Sequence, residues 1–500
     1  MKNFNIKLTV TGLLTLCMVW MSCNKELLRI NPSQPTETAY FTRQSAFQQA
    51  VLGIYAKLTD LYSYNNINWL QEALLLPGDD LTATQQNNFE DFVLAPENGK
   101  INGYYNACYQ MIARANVVLY EIDSVKEGVF STEQLKNYNH GEALFLRAFA
   151  FYNLWNMFGT SPLDTTRFLH QDELYPPGSE GTQLLDQAIR DLTAAAGLLP
   201  ESWDNNNRGR VTRNSAYGML GKCLVFRATV KKDNADYQAA IAAFDQLSGL
   251  SLVSDFEDNF NYRTENNEES LFEFQASSPT QVDNVYLNND VDYAVGQASA
   301  YWGFFDNNYA QYGQPIFIAT QKLLDSFTDG DPRLPLTLDP ASRQIKKYVL
   351  NNELTGFGVG STNNPRILRY ADVLLLKAEA ILQSGGSAAA AVALINQVRT
   401  RARNMVPGGT QPENLSGAET NRNRIMQWIM DERLRELAGE GQRWFDLRRW
   451  TLGGLIAPDN DFFSSATPAL MKFDPDTHLY FPIPTDETER NPNVQQNPGY

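Results

Sequence analysis

The sequence predicts a mainly α-helical fold, in which tetratricopeptide-like helical pairs form a scaffold with long loop-rich insertions and minor β-strands. Apolar residues recur at helical spacing in three successive pairs of segments. The last two of these units measure about 35 residues each, near the length of a tetratricopeptide repeat. Between 250 and 365 the pattern changes to loops rich in Asn, Asp, Gly and Tyr. We therefore expect a decorated helical solenoid whose loops carry the function.

The first residues are typical of a bacterial secretory signal. Lys2 and Lys7 precede an apolar run that is too short to span a bilayer. Cys23 follows the small Ser22 and looks like the cysteine of a lipobox, which is lipidated and becomes the first residue of the mature chain. The predicted parts are a signal peptide over 1–22, a lipidated N-terminus and tether over 23–44, and a single domain over 45–500.

The charge of the chain excludes one large class of partners. Its formal net charge is −16, and removal of residues 1–22 takes away two lysines and no acids, which leaves −18. A body this acidic repels nucleic acid, so we expect no nucleic-acid ligand. Cys108 and Cys223 both fall inside helical patterns, which predicts buried thiols rather than a disulfide.

The domain begins with two amphipathic segments. In each, apolar residues recur at steps of three and four, which places them on one face of a helix. The first stripe is Phe47, Ala50, Val51, Ile54, Tyr55 and Leu58, and the second is Tyr105, Cys108, Ile112 and Leu119. We expect both faces to be buried.

Three helical pairs follow. They are 142–158 with 182–199, 214–230 with 236–248, and 367–383 with 388–402. Ile367 opens the apolar stripe of the third pair, and small residues such as Gly218 and Gly221 should let helices approach closely. Short alternating runs such as Leu271 to Phe274 predict minor strands.

No motif of an enzyme stands out. The sequence lacks the nucleophile elbow of serine hydrolases and the H-E-x-x-H motif of zinc proteases. Asp79 and Asp80 are adjacent, whereas glycoside hydrolysis needs two carboxylates about 5–9 Å apart across the substrate. The Asp-rich loops at 329–331 and 459–461 lack EF-hand spacing, and the three histidines lie far apart. The prediction is a protein that is not an enzyme and uses no metal or cofactor.

Two segments interleave aromatic rings with short polar side chains. They are 61–70 (LYSYNNINWL) and 301–312 (YWGFFDNNYAQY), called here the first and second aromatic segments. Sugars present apolar C–H faces ringed by hydroxyls, so a flat ring flanked by amides is their complement. The alternative is that these rings fill the core beneath loops. The ligand-binding residues predicted on this argument are Trp69, Asn68, Trp302, Tyr309 and Tyr312.

Residues 431–450 read DERLRELAGEGQRWFDLRRW, with five acids and five arginines. Such a stretch predicts a helix that ends at Gly439 and Gly441, with Trp444 and Phe445 anchoring the next segment. Opposite charges three and four residues apart suit a paired polar helix face. The predicted pairs are Asp431–Arg435 and Glu432–Arg435, with Glu432–Glu436 as a repulsive exception. The balance of charge predicts internal scaffolding rather than a nucleic-acid surface.

The same stretch resembles the signature of the RagB/SusD family of outer-membrane nutrient-binding lipoproteins. Four further motifs agree in the expected order. They are SFTDGDPRL at 326–334, RYADVLLLKAEA at 369–380, LINQVRTRA at 394–402 and LYFPIPTDETERNPNVQQNPGY at 479–500. With the lipobox, the resemblance covers essentially the whole chain.

The resemblance implies a tetratricopeptide-type scaffold on the outer surface of the outer membrane, with a loop-rich binding face. It implies a TonB-dependent SusC-like β-barrel transporter as partner, glycan or in some branches peptide as ligand, and no chemistry. Asp80 is similar in placement to polar residues on the binding face of relatives, which adds it to the predicted ligand-binding residues. The segment Asn24-Lys25-Glu26 departs from the acidic stretch that normally accompanies surface display.

Four functions fit the sequence. The leading one is a non-catalytic lipoprotein that captures oligosaccharides, and the second is a peptide-capturing lipoprotein on the same scaffold. The third is a glycosidase using Asp79 or Asp80, and the fourth is an interaction scaffold without a small ligand. More than 200 residues separate Trp69 from Trp302, so the sequence leaves open whether they share one face.

Overall fold

The computed structural model describes residues 40–62, 70–276, 316–349 and 362–500. These residues form a mainly helical structure, as predicted, with two antiparallel sheets of two strands each. The helices are α1 Gln44–Tyr55, α2 Leu58–Tyr62, α3 Gln71–Leu75, α4 Gly99–Asp123, α5 Glu133–Phe158, α6 Gln183–Leu198, α7 Arg213–Lys231, α8 Asn234–Phe244, α9 Gln321–Ser326, α10 Leu334–Thr337, α11 Tyr370–Gln383, α12 Ala388–Asn404, α13 Arg422–Leu437, α14 Arg443–Leu452, α15 Pro475–His478 and α16 Thr485–Arg490. The strands are β1 Leu81–Ala83, β2 Ser270–Glu273, β3 Phe317–Ala319 and β4 Arg366–Arg369.

Helices α1 and α4 bury the predicted apolar faces. The stripe of α1 is buried apart from the half-buried Ala50. Leu58 is buried as well, but it begins α2 instead of ending α1. All four residues of the predicted α4 stripe are buried. The spacing of apolar residues therefore identified both helices and the side that each turns inward.

The three helical pairs stack as predicted. Helix α5 packs on α6, α7 on α8, and α11 on α12. Neighbouring pairs also pack on one another, through α6 with α7 and α8 with α11. Helix α5 is longer than expected, because the Thr132 hydroxyl accepts a hydrogen bond from Leu135 N and caps an earlier turn. This succession of packed pairs is typical of tetratricopeptide-like scaffolds.

Two glycines on α7 allow the close approach that the sequence predicts. A Cβ added at Gly218 would lie 2.4 Å from the Leu271 side chain, and one at Gly221 would lie 2.3 Å from the Phe244 ring. Both distances are shorter than any ordinary carbon–carbon contact. Strand β2 and helix α8 therefore rest directly on the α7 backbone.

The third pair differs from the prediction at its start. Ile367 lies in β4, and α11 begins only at Tyr370. Strand β4 pairs antiparallel with β2, with Ser270 opposite Arg369. The helical register that began at Ile367 was wrong, because pairing with β2 satisfies this backbone in an extended form. The predicted minor strand at 271–274 is confirmed by β2 itself.

Buried apolar residues from Val51 to Val494 form one connected core cluster. Cys108 and Cys223 are free thiols buried within it. Burial raises the pKa of both thiols, to about 12 for Cys223. These cysteines are therefore inert structural residues, which confirms the prediction.

None of the helices in the described ranges has both the length and the apolarity needed to cross a bilayer. Residues 1–39 lie outside the described residues. The signal peptide, the lipidated Cys23 and most of the tether fall there, so they stay predictions.

The stretch 431–450 forms the end of α13, a turn and α14. Gly439 and Gly441 end α13 with φ of 72° and 75°, a left-handed conformation that favours glycine. Trp444 and Phe445 are buried on α14, at 1% and 3% exposure. The predicted break, the aromatic anchors and the role as internal scaffold are confirmed.

The polar face of α13 is buried, however, where the sequence predicts a face with local charge pairs. Glu432 and Glu436 are both 0% exposed. Arg333 Nη1, from a distant segment, donates to Glu432 Oε1 at 2.7 Å and to Glu436 Oε2 at 2.9 Å. Arg333 thereby cancels the repulsion expected between the two glutamates.

Of the predicted local pairs, one forms and one does not. Arg435 pairs with Glu432 at 2.9 Å, as expected. The pair between Arg435 and Asp431 was wrong: Arg435 Nη1 donates to Ser326 O at 2.9 Å, and Asp431 accepts from Gln427 at 2.7 Å. Tertiary partners therefore determine which helical neighbours meet.

Glu436 is the centre of this buried ion network. It accepts hydrogen bonds from Arg401 and from Arg369 Nη1, the latter at 2.7 Å, in addition to Arg333. Arg369 also pairs with Glu269 and Glu440, each at 2.8 Å. Burial alone raises the pKa of Glu436, but Arg401, Arg369 and Arg333 outweigh it and hold the pKa well below its usual range. The network joins α13 to β4, α12 and the segment before β2.

Candidate functional site

The chain that leaves each aromatic segment reaches the same small sheet. Strands β1 and β3 pair antiparallel, with Ala83 opposite Phe317. Thr84 N also donates to Ile316 O at 2.8 Å. Strand β1 follows the first aromatic segment in the sequence, and β3 begins five residues after Tyr312 of the second. The chain downstream of the first segment therefore lies beside the chain downstream of the second.

A second contact joins described residues on the N-terminal sides of the undescribed ranges. The Tyr62 ring stacks on the Phe274 ring, with centroids 6.0 Å apart and an interplanar angle of 24°. Tyr62 is the second residue of the first aromatic segment, and Phe274 precedes the undescribed residues 277–315 that contain the second. The described chain before residue 63 and the described chain before residue 277 therefore lie in contact.

Asp79 lies just before β1 and is a counter-ion inside the protein. It is 1% exposed and binds the Arg443 guanidinium and Lys322 Nζ, the latter at 2.6 Å. The hydroxyl of Thr320, next to β3, donates to Asp79 O at 2.8 Å. Burial raises the pKa of Asp79, but Arg443 and Lys322 outweigh it and the pKa lies below its usual value. The carboxylate ties α14 to the residues in and beside the β1–β3 sheet, 79–83 and 317–322. These residues are called here the base of the aromatic segments.

Asp80 is also turned into the protein. It is 2% exposed, and its Oδ2 accepts a hydrogen bond from Gly439 N at 2.9 Å. Thr320 N donates to Asp80 O at 2.9 Å. Burial raises the pKa of Asp80 from the usual 3.8 to about 6. This placement disagrees with a direct contact between Asp80 and ligand, and indicates that Asp80 positions the turn at Gly439.

The geometry of this pair also argues against the glycosidase hypothesis. One carboxylate is neutralised by two cations, and the other is buried against a backbone amide. Neither is presented to a substrate, whereas glycoside hydrolysis needs both an acid and a base or nucleophile at the scissile bond. Asp79 and Asp80 are therefore structural residues.

The other predicted ligand-binding residues lie outside the described residues. They are Trp69, Asn68, Trp302, Tyr309 and Tyr312. The structure describes the frame to which their segments attach, and their contact with a ligand stays a prediction.

Lys322 is a residue of this region that the sequence did not single out. It lies on α9 directly after β3, its side chain is 38% exposed, and its Nζ lies 3.3 Å from the centroid of the Phe462 ring. A lone lysine between Gln321 and Leu323 carries no sequence signal that separates it from other surface lysines. Its pairing with Asp79 and Phe462 becomes evident only in three dimensions.

The Asp-rich loops do not form a metal site in the part of the chain that the structure describes, where no cluster of three or more potential ligands occurs. Asp331, from the first of these loops, pairs instead with Arg333 at 2.8 Å. Its carboxylate therefore belongs to the ion network around α13.

Comparison with known proteins agrees with this frame. Two family models match the chain, one described as the SusD family over residues 336–500 and one described as starch-binding associating with outer membrane over residues 31–224. The chain belongs to the SusD family. Neither model describes a catalytic family, and the second associates its members with the outer membrane.

SusD-like relatives match over almost the whole chain. SusD-like protein P2 of Formosa agariphila is 24% identical over 92% of this chain and 94% of its own length. A SusD-like protein of Bacteroides ovatus is 24% identical over 87% of this chain and 81% of its own length. The similarity therefore extends over most of the chain.

Solved SusD-like structures share the fold. A SusD homolog of Bacteroides thetaiotaomicron superposes with a TM-score of 0.74 at 21% identity, covering 93% of this chain and 98% of that one. The surface glycan-binding protein A of the same organism gives 0.71 at 20% identity, covering 92% and 100%. A laminarin-binding SusD-like protein gives 0.70 at 22% identity, also covering 92% and 100%. At these identities the likeness establishes the fold of this SusD-family chain.

Proposed function

We propose that this SusD-family protein is a non-catalytic lipoprotein of the outer membrane that captures oligosaccharides and delivers them to a TonB-dependent SusC-like transporter. The observation that supports the proposal is the pairing of the chain that follows the two aromatic segments. Strand β1 follows the first segment and β3 follows the second, and the two strands pair antiparallel. The Tyr62 ring, at the start of the first segment, also stacks on Phe274, upstream of the second. On this proposal the two segments form one binding surface.

The residue types of these segments favour a sugar. Trp69 and Trp302 offer flat apolar rings, and Tyr309 and Tyr312 add rings that carry a hydroxyl. Asn68 supplies an amide that both donates and accepts hydrogen bonds. A glycan needs this combination, because its apolar ring faces are surrounded by hydroxyl groups. The names of the related glycan-binding and laminarin-binding proteins support the same class of ligand.

The roles of two carboxylates beside the β1–β3 sheet support capture without chemistry. Asp79 is neutralised by Arg443 and Lys322, and Asp80 holds the amide of Gly439. A protein that binds but does not cleave must pass its ligand on, and the family resemblance supplies a SusC-like β-barrel as receiver. The lipid on Cys23 would keep the acidic body at the membrane, facing outward.

The first experiment is calorimetric titration of residues 24–500 against a panel of oligosaccharides and oligopeptides. Saturable sugar binding without release of reducing ends is the expected result. Binding of peptides alone would move the protein to the peptide-capturing alternative on the same scaffold. Release of reducing sugar would overturn the non-catalytic assignment. No binding to any member of the panel would favour a scaffold without a small ligand.

A further inference from the structure

A second concave site lies on the helical side of the molecule. The loop between α6 and α7, the first turn of α7, strand β2 and the chain before β2 enclose a cleft of about 250 Å³. One water needs only about 10–15 Å³ measured in this way, and sites for small organic ligands begin near roughly 300 Å³. The lining residues include none from β1, β3 or the Asp79–Asp80 pair. The cleft is therefore large enough for a small ligand and separate from the base of the aromatic segments.

One wall of the cleft is an aromatic ring held rigidly from behind. Trp203 is half-buried, and its Nε1 donates to Val211 O at 2.8 Å. The Arg210 guanidinium lies 4.3 Å from the Trp203 ring. Arg210 is fixed by two hydrogen bonds to Glu142, at 2.7 and 2.5 Å, and Glu142 is fully buried. Such support holds the ring in place before any ligand arrives, which lowers the entropy cost of binding.

An ordered loop that includes Asn266 and Asn267 also lines the cleft. Asn266 and Gln275 exchange two amide hydrogen bonds, at 2.8 and 3.0 Å, and Asn266 N donates to the buried Glu273 carboxylate at 3.1 Å. Asn266 also adopts a left-handed φ of 51°. Asn267 next to it donates to Asp258 O at 3.2 Å. The loop therefore holds two neighbouring asparagines at fixed positions along the cleft.

The charges at the rim are balanced. Arg208 and Glu268 line the cleft and are both exposed. Arg208 Nη2 donates to Glu265 O at 2.5 Å, which fixes one corner of the guanidinium. Of the other charged residues in the wall, Arg210 is neutralised by Glu142, and Glu273 pairs with Arg366 at 3.3 Å. Glu201 also lines the cleft and pairs with Arg213 at 3.0 Å. Because Glu201 has this partner, Arg208 and Glu268 leave the rim close to balanced, which favours a neutral ligand rich in hydrogen-bonding groups.

We propose that this cleft is a second saccharide-binding site, which takes a single neutral sugar unit between Trp203 and the Asn266–Asn267 loop. The Trp203 ring offers an apolar edge for the C–H groups of the sugar. Arg208 donates to its hydroxyl oxygens, Glu268 accepts from its hydroxyl groups, and a volume of about 250 Å³ suits one sugar unit. A ligand that engages this cleft and the aromatic segments together would be held by two sites, which raises its avidity.

The test uses saturation-transfer NMR on residues 24–500 with glucose, galactose, mannose and N-acetylglucosamine as probes. The background variant is Trp69→Ala/Trp302→Ala, which removes the rings of the aromatic segments. Arg208→Ala and Glu268→Ala are then added singly, because both side chains are exposed and their loss leaves the core intact. Arg190→Ala, an exposed arginine on α6 away from the cleft, is the matched control.

The expected result is transfer to at least one sugar in the background variant, unchanged by Arg190→Ala and weakened about tenfold or more by Arg208→Ala and by Glu268→Ala. Transfer in the wild type that disappears in the background variant would overturn this proposal while supporting the aromatic segments as the binding site. Transfer that survives both cleft substitutions would also overturn it. Oligosaccharide binding without transfer to any of the four sugars would reject the second site alone.

Discussion

The stretch 431–450 and the base of the aromatic segments contain the same kinds of residues and use them differently. In 431–450 the charges are buried and saturated: Glu436 alone meets Arg333, Arg369 and Arg401. At the base, Asp79 meets Arg443 and the partly exposed Lys322, and the chain arrives there from segments whose rings and amides are predicted to meet a ligand. Charge and aromatic content therefore do not distinguish a frame from a site. Burial and the number of fixed partners do.

The two regions are also connected physically. Gly439 donates its N–H to Asp80, and Arg443 binds Asp79, so the turn and helix at the end of the family signature hold the base directly. The signature stretch therefore supports the β1–β3 sheet, which the chain reaches after both aromatic segments.

The largest expected effect is the loss of a network carboxylate. Glu436→Ala leaves three buried arginines with one acceptor fewer, which should lower the free energy of unfolding by about 3–5 kcal/mol. Urea denaturation followed by circular dichroism measures this. A loss below about 1 kcal/mol would mean that the frame does not depend on its buried ions, and the contrast with the base would disappear.

The matched control is an ion pair on the exposed side of the same helix. Arg424 pairs with Glu419 at 2.9 Å, and its side chain is 62% exposed. Arg424→Ala should change the free energy of unfolding by less than about 1 kcal/mol, because solvent screens the pair. Comparing the two variants separates the effect of burial on the free energy of unfolding from the effect of charge alone.

The next prediction concerns Asp80, at the base, and the way it makes the free energy of unfolding depend on pH. Burial raises the pKa of Asp80 from the usual 3.8 to about 6, with Asp79 raising it further and Gly439 N–H and Arg443 opposing. Between about pH 4 and pH 6 the folded protein binds more protons than the unfolded chain, so this residue makes stability fall as pH rises. Asp80→Asn should therefore match the wild type below pH 4 and exceed it by up to about 3 kcal/mol above pH 6.

The control for this prediction is Asp79, whose contribution to stability should change with pH in the opposite direction. The pKa of Asp79 is lowered by Arg443 and Lys322, which outweigh its burial, so its carboxylate contributes stability that is lost as pH falls. Asp79→Asn should destabilise the protein at neutral pH and converge with the wild type in acid. Parallel pH profiles for the two variants would contradict the different roles assigned to this adjacent pair.

A smaller effect tests the packing of the frame. Gly221→Ala places a Cβ 2.3 Å from the Phe244 ring and should destabilise by about 1–3 kcal/mol, because helix α8 must shift. Gly197→Ala on α6 meets no atom within 4 Å and should stabilise by up to about 1 kcal/mol through helix propensity. Equal changes in thermal unfolding would mean that α7 and α8 are not in the close contact described.

Much of the frame could be predicted because it depends on local periodicity. Apolar spacing identified α1, α4 and the three pairs, and Gly439 marked the end of α13. The sequence could not show that Glu432 and Glu436 are buried, because their partner Arg333 lies on a different segment. Long-range pairing also changed Ile367 from helix to strand.

The site was predicted less completely for a related reason. A ring in a loop has the same sequence pattern whether it fills the core or contacts a ligand. The family resemblance suggested a binding-face position for Asp80, whereas the structure buries it against Gly439 N. Lys322 carries no pattern at all, since its role arises from contacts across two chain segments. Binding residues depend on tertiary geometry more than on spacing.

The smallest expected effect on stability is the one that tests function most directly. Trp302→Ala should leave the free energy of unfolding within about 1 kcal/mol and weaken oligosaccharide binding roughly tenfold, because the ring is predicted to meet ligand and not core. Its counterpart in the frame is Trp444, which is 1% exposed, and Trp444→Ala should cost about 3–5 kcal/mol. Calorimetric titration of both variants gives the dissociation constant for the oligosaccharide, and chemical denaturation gives the free energy of unfolding. If Trp302→Ala proves as destabilising as Trp444→Ala, the second aromatic segment belongs to the core, and the distinction between the two regions fails at that residue.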